Sequence, residues 1–156
     1  MNRGRLAVGS LVVAACLGLA SPALAQTTVG VRAGVSADPD QFFVGAHIES
    51  PRLGGLKIVS FRPNLEVGFG DNVKVIAGNV EFVAWVSFPD PSWAAYLGGG
   101  PAVNIIKFDH NGTDIGGGFN IVAGFQHRSG LFTEIKVGMN DSPGLRGTVG
   151  YVFRAR

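Results

Sequence analysis

The chain has 156 residues, of which 46% are hydrophobic and 15% are charged, and it contains 24 glycines and 11 phenylalanines. The formal net charge is +2, but Arg3 and Arg5 lie in the first segment, and without them 13 − 2 = 11 basic residues face 11 acidic ones. The remainder has no basic patch that would suit a nucleic acid. Low charge with many glycines and phenylalanines is unusual for a soluble protein of this size and favours a membrane barrel.

The N-terminus has the three parts of a secretory signal peptide. Residues 2–5 are basic, residues 6–20 form an apolar run too short to span a membrane well, and residues 21–25 end in an A-x-A pattern. A lipoprotein box ending at Cys16 is a second interpretation, ranked lower because the following residues stay apolar. Cleavage after Ala25 predicts export through the Sec pathway and a cysteine-free domain at residues 26–156, which excludes disulfides and thiolate metal sites.

Beyond residue 26 the chain alternates between apolar and polar residues, and turn-rich breaks separate the alternating segments. No window shows helical spacing with caps. The pattern predicts eight strands, at residues 28–36, 41–49, 58–69, 73–88, 93–107, 115–126, 131–139 and 145–153. Pro63 and Pro101 fall inside strands and predict local bulges, because proline cannot donate a hydrogen bond to a ladder.

The third predicted strand, residues 58–69, decides which face points inward. One parity is almost uninterruptedly apolar, whereas the other carries Arg62 and Glu66 with small residues between them. Across the chain this polar parity also gathers glycines and balanced charges, which suit a narrow, filled lumen with paired ions. The predicted lumen set is Arg32, His47, Glu49, Arg62, Glu66, Glu81, Glu134, Lys136 and Arg146.

Aromatic residues cluster near the strand ends, which is typical of the two interfacial girdles of a membrane barrel. One predicted girdle, at the rim that carries both chain termini, comprises Phe88, Trp93, Tyr96, Phe125, Tyr151 and Phe153. The other, at the opposite rim, comprises Phe42, Phe69 and Phe108. Together with the strand count, these features predict an all-β fold, an eight-stranded antiparallel up-and-down transmembrane barrel.

The signal peptide, the eight-stranded meander and the closing segment at residues 147–153 resemble the small outer-membrane β-barrel family of Gram-negative bacteria. The closing segment is similar to the C-terminal signal, ending in an aromatic residue, that the barrel-assembly machinery reads. Here the chain departs from the pattern, because residues 154–156 follow Phe153. The resemblance implies location in the outer membrane, contact with its lipids, and insertion by the assembly machinery.

The expected role is structural or interactive, as an envelope component or at most a narrow passage for small solutes. We predict no catalytic residues, no metal site and no cofactor. His47 and Glu49 share a strand face, but no serine nucleophile stands at a matching spacing, and a lumen-packing histidine is favoured. Two alternatives stay open: a soluble, periplasmic lipocalin-like carrier of an apolar ligand, and a membrane-embedded lipid-modifying hydrolase.

Overall fold

The computed structural model describes residues 27–53, 55, 58–108 and 112–153. The predicted signal peptide at residues 1–25, with Cys16, lies outside the described residues, as does the segment 154–156. The eight strands are β1 (Thr28–Ala37), β2 (Gln41–Glu49), β3 (Val59–Gly70), β4 (Val73–Ser87), β5 (Trp93–Phe108), β6 (Gly112–His127), β7 (Leu131–Asn140) and β8 (Leu145–Phe153). Within the described residues, no helix is long and apolar enough to cross a membrane.

The strands form one closed barrel in which each strand pairs antiparallel with its neighbours in the chain. The barrel closes where β1 pairs with β8, with Val29 opposite Phe153 and Ala37 opposite Leu145. We call the end where β1 begins and β8 ends the terminal rim, and the opposite end the distal rim. The predicted fold class is therefore confirmed. The largest boundary difference is at β6, which begins at Gly112, three residues before the expected position.

The barrel wall is apolar outside and polar inside. Leu65 on β3 is 55% exposed, whereas its neighbour Glu66 is 3% exposed. The same alternation recurs on β7, where Leu131, Ile135 and Val137 are exposed and the intervening side chains are buried. A lipocalin-like carrier would have the reverse arrangement, so that alternative is wrong for this barrel. The outer surface suits acyl chains, since lipid-facing and lumen-facing residues alternate in transmembrane barrels.

The two strand prolines do not form the predicted bulges. The β3–β4 register runs unbroken through Pro63, and the β5–β6 register runs unbroken through Pro101. On its other side, each proline-containing strand has an interrupted ladder. Beside Pro63 the regular β2–β3 pairs stop at Asn64, and beside Pro101 the β4–β5 pairs skip Val80 and Glu81. A gap in one ladder accommodates the missing donor without an inserted residue, so the register is unchanged on either side.

Gly100 lies in the β4–β5 gap and allows the two strands to approach closely, since an added Cβ would collide with the carbonyl oxygen of Val80. We expect Gly100→Ala to lower the free energy of unfolding by about 1–3 kcal/mol, the usual cost of overpacking. Gly147→Ala is the matched control, because nothing lies within 4 Å of an added Cβ there. Urea unfolding in lipid vesicles would measure both, and equal losses would contradict the close approach.

Candidate functional site

The centre of the bore is filled by charged side chains from β1, β3, β4, β7 and β8. We call this set the charge cluster, and it comprises Arg32, Arg62, Glu66, Glu81, Glu134, Lys136 and Arg146. Each member is at most 3% exposed. All seven were predicted from strand parity, and the structure brings them together across the bore.

Glu66 is one of two carboxylates in the cluster that each pair with three cations. Its Oε1 lies 3.2 Å from Arg32 Nη1 and 2.9 Å from Lys136 Nζ. Its Oε2 accepts a hydrogen bond from Arg146 Nη1 at 2.5 Å. Three cations thus converge on one carboxylate, and these contacts connect β3 with β1, β7 and β8.

Glu134 is the second centre of the cluster. Its Oε2 accepts hydrogen bonds from Arg62 Nη2 at 2.7 Å and from the Tyr96 hydroxyl at 2.8 Å. The Arg62 guanidinium also stands 4.6 Å from the centroid of the Tyr96 ring and 3.3 Å from Glu81 Oε2. Lys136 Nζ lies 2.7 Å from Glu81 Oε1 and forms an ion pair that connects β7 with β4. These contacts satisfy the buried charges in pairs, which is what makes their burial tolerable.

A chain of amides extends the cluster across three further positions that the sequence prediction did not include. Arg146 Nη2 donates to Asn120 Oδ1 at 2.6 Å, Asn120 Nδ2 donates to Asn79 Oδ1 at 2.7 Å, and Asn79 Nδ2 donates to Asn64 Oδ1 at 2.7 Å. All three asparagines lie on the inward parity of their strands. That parity was the sequence signal that could have identified them.

His47 lies in the lumen as predicted but does not form an acid–base pair with Glu49. Its Nδ1 is 3.1 Å from Arg32 Nη2, and its ring meets Phe132 edge-on at 5.5 Å. A guanidinium can only donate, so Nδ1 must accept and the ring proton resides on Nε2. His47 is therefore a neutral packing residue next to the charge cluster.

Glu49 lies in the lumen as predicted, but it makes hydrogen bonds to neutral groups and no direct ion pair with the described cations. It is buried, but its Oε1 accepts from the Ser60 hydroxyl at 2.6 Å and from Trp85 Nε1 at 3.0 Å, and it forms no ion pair within the described residues. Glu49 is the last residue of β2, so it lies at the terminal rim, farther along the barrel axis than the ion pairs of the charge cluster. When Glu49 is counted, the lumen holds equal numbers of basic and acidic side chains: Arg32, Arg62, Lys136 and Arg146 against Glu49, Glu66, Glu81 and Glu134.

Tyr96 was predicted to lie in the terminal girdle, and this is also wrong. It is 2% exposed and packs inside the barrel with Val83 and Val122. Its position near the strand end suggested the girdle, but its parity decides its direction, since the neighbouring Leu97 is the outward residue.

The structure places the other girdle aromatics on the outer wall at the two rims, between 41% and 53% exposed. At the terminal rim these are Phe88, Trp93, Phe125, Tyr151 and Phe153, and at the distal rim Phe42, Phe69 and Phe108. Phe88 stacks with Phe125 at 6.3 Å, Tyr151 meets Phe153 at 5.2 Å, and Phe42 is the cross-strand partner of Phe69. Aromatic rings at this height are suited to the headgroup region of a bilayer.

The distal end of the bore is covered by the loop between β7 and β8. Ser142 and Pro143 of this loop are buried. Asn104 Nδ2, which points inward from β5, donates to Asp141 O at 2.9 Å and to the Ser142 hydroxyl at 3.2 Å. The Gly144 N–H donates to a carbonyl of the β1–β2 turn at 3.0 Å. The loop and the charge cluster together fill the distal part of the bore.

At the terminal end of the bore, the described residues enclose a cup of about 500 Å³ above the charge cluster. Glu49, Trp85 and Gln126 line it on the inside, and Arg52 and Trp93 line it at the edge. On the same rim the β4–β5 turn is fixed by hydrogen bonds from Ser92 to the Asp90 carboxylate, which hold the pKa of Asp90 below its usual value.

A hydrolase would need a serine, a histidine and an acid converging on one rim. At the terminal rim, His127 Nδ1 lies 2.9 Å from the Ser129 hydroxyl, but the same nitrogen accepts the Ser129 backbone N–H at 3.2 Å. In the described part of the chain, no carboxylate is hydrogen-bonded to the His127 ring. This contact closes a tight turn and lacks the third member of a triad.

A scan against protein-family models finds no match to the sequence, and a search of curated proteins finds none either. Solved structures do match the fold. The N-terminal β-barrel domain of Pseudomonas aeruginosa OprF aligns with a TM-score of 0.59 at 13% identity, covering 83% of this chain and 98% of that domain. Neisserial surface protein A aligns with a TM-score of 0.60 at 10% identity, covering 83% of this chain and 96% of that protein.

At these identities the similarity concerns the fold. Both neighbours align over nearly their whole length, so the match extends to the complete barrel. It agrees with the closed eight-stranded meander and with the apolar outer wall of this chain. The protein therefore has the fold of the small eight-stranded outer-membrane β-barrels.

Proposed function

We propose that this protein is an integral barrel of the bacterial outer membrane with a structural or interactive role in the envelope. On this proposal the wall contacts lipid, the loops and rims contact other envelope components, and the bore does not serve as a passage for solutes. Export through the Sec pathway and insertion by the barrel-assembly machinery are part of the proposal. The closing strand β8, with Phe153 at its end, supplies the segment that this machinery would read.

One observation carries the proposal: the bore is blocked by the charge cluster. Seven charged side chains, each at most 3% exposed, contact one another across the lumen from five of the eight strands. Beside Glu66 and Arg146 a cavity of only about 10 Å³ remains, which is room for at most about one water molecule. Opening a path would require several ion pairs to separate together, and unpaired buried charges are costly.

The apolar wall supports the location. Exposed aliphatic and aromatic side chains cover the outside between the two rims, and aromatic rings mark both ends. A surface of this kind in water would be a large exposed apolar patch, which soluble monomers avoid. In a bilayer the same apolar side chains would contact acyl chains and not water.

Reconstitution into planar bilayers tests the role. We expect the folded protein to insert without producing discrete current steps, because the charge cluster leaves no continuous water column. Heat-dependent gel mobility of the same sample would show that the barrel is folded, and an open porin in the same bilayer would show that the assay detects conduction. Reproducible single-channel currents from the folded protein would contradict the sealed bore.

A further inference from the structure

The cup at the terminal rim has features of a binding site that the sealed-barrel role does not explain. Its floor holds two polar side chains, Glu49 and Gln126, each 8% exposed. Its edge holds Arg52, whose guanidinium stands 5.8 Å from the Trp85 ring. Arg128, His127 and Trp93 also line it, so one concave space of about 500 Å³ contains a carboxylate, an amide, two guanidiniums, an imidazole and two indoles.

The two floor residues have unused hydrogen-bonding capacity directed into the cup. The Gln126 side chain forms no hydrogen bond within the described residues, although it is more than nine-tenths buried. Both bonds to the Glu49 carboxylate, from Ser60 and Trp85, end on Oε1, which leaves Oε2 without a protein donor in the described part of the chain. Both groups border the space of the cup, so a ligand that enters the cup can complete their hydrogen bonding.

The chemistry of the floor selects a cation. An ionised carboxylate only accepts hydrogen bonds, and the Gln126 amide can present its oxygen beside it. A primary ammonium supplies several donors and a positive charge, so it would satisfy both residues with charge-assisted bonds.

The charge balance selects a second, negative group on the same ligand. Arg52 and Arg128 both line the cup, so a cation bound at Glu49 would lie near two guanidiniums unless it carried a negative group of its own. Arg52 at the edge of the cup can hold a carboxylate in bidentate fashion, while the ammonium lies below at Glu49. A ligand with one charge of each sign fits this arrangement.

We propose that the cup binds a small zwitterion with a free amino group, such as an amino acid or a short peptide. Its ammonium is held by Glu49 and Gln126, and its carboxylate by Arg52. This inference is independent of the sealed-barrel role, because a bore that conducts would leave the cup and its floor in place.

The two tryptophans of the chain allow a direct test, because Trp85 and Trp93 both line the cup. Trialanine is titrated into the full chain folded in detergent micelles, and intrinsic fluorescence is recorded. We expect a saturable change with trialanine and none with N-acetyl-trialanine, which lacks the ammonium. We expect Glu49→Gln and Gln126→Leu each to weaken binding at least tenfold. Asp114→Asn, an exposed change at the distal rim, is the matched control and should bind as the parent does.

Heat-dependent gel mobility identifies the variants that remain folded. If Glu49→Gln does not fold, Gln126→Leu alone tests the floor of the cup. An equal response to the acetylated peptide would overturn the proposal, as would unchanged binding by both floor variants. A third outcome would also overturn it: if trialanine binds only after residues 154–156 are removed, the cup is occupied by the arginine-containing tail of the chain itself.

Discussion

Replacing Glu66 by glutamine is expected to lower the free energy of unfolding by about 3–5 kcal/mol, the cost of breaking a buried ion pair by removing one partner. Three cations, Arg32, Lys136 and Arg146, lie within 3.2 Å of this carboxylate. Without its charge the bore holds an excess of positive charge with no solvent to screen it. Urea unfolding in lipid vesicles, followed by the fluorescence of Trp85 and Trp93, would measure the loss.

A double-mutant cycle separates the charge effect from a change of shape. Arg146 Nη1 binds Glu66, and its Nη2 binds Asn120. We expect Glu66→Gln with Arg146→Gln to cost less than the sum of the two single changes, with a coupling of at least about 1 kcal/mol, because the double variant restores neutrality. Additive losses would mean that the ion pair contributes nothing specific. Asp71→Asn, in the exposed β3–β4 turn, should leave stability unchanged.

Replacing Leu65 by lysine is expected to cost about 2–4 kcal/mol, the cost of a lysine on the lipid face at the bilayer midplane. Leu65 points outward on β3 and is 55% exposed, near the middle of the wall. In water the same change would be nearly neutral, since surface substitutions rarely exceed about 0.5 kcal/mol. Unfolding in vesicles and heat-dependent mobility would report the loss.

Leu131→Lys is the matched control for Leu65→Lys. Leu131 also points outward and is 54% exposed, but it begins β7 at the terminal rim. A lysine there can reach the headgroups, so the expected cost is only about 0–1 kcal/mol. Equal costs at the two positions would show that depth in the bilayer does not matter and would count against a membrane-spanning wall.

The barrel could be predicted from sequence because its period-two signal is local. Each strand of the meander pairs with its chain neighbour, so the order of strands followed once the turns were placed. The start of β6 was missed because Gly112, Thr113 and Asp114 have the composition of a turn, yet they pair with β5. The prolines were misread because the sequence does not show that a ladder can be interrupted on one side only.

The lumen could be predicted only as a set of residues, and the individual contacts could not. Parity places Glu66 and Arg146 inside, but their contact depends on the stagger of strands that are 80 positions apart in sequence. Tyr96 was assigned by its nearness to a strand end although its parity pointed inward. Parity placed Glu49 in the lumen correctly, but parity alone could not show that its direct partners are Ser60 and Trp85. Parity applied to every residue would have corrected the placement of Tyr96.

The central claim is that aliphatic side chains face lipid while the charges face the bore. Single cysteines introduced along β7, from position 131 to position 137, can be spin-labelled, because Cys16 is the only cysteine of the chain and is absent from a chain beginning at residue 26. In vesicles, the labels at 131, 133, 135 and 137 should collide with oxygen dissolved in the lipid, and those at 132, 134 and 136 should be shielded. Odd-position labels that collide instead with a water-soluble nickel complex, along the full length of β7, would contradict the account.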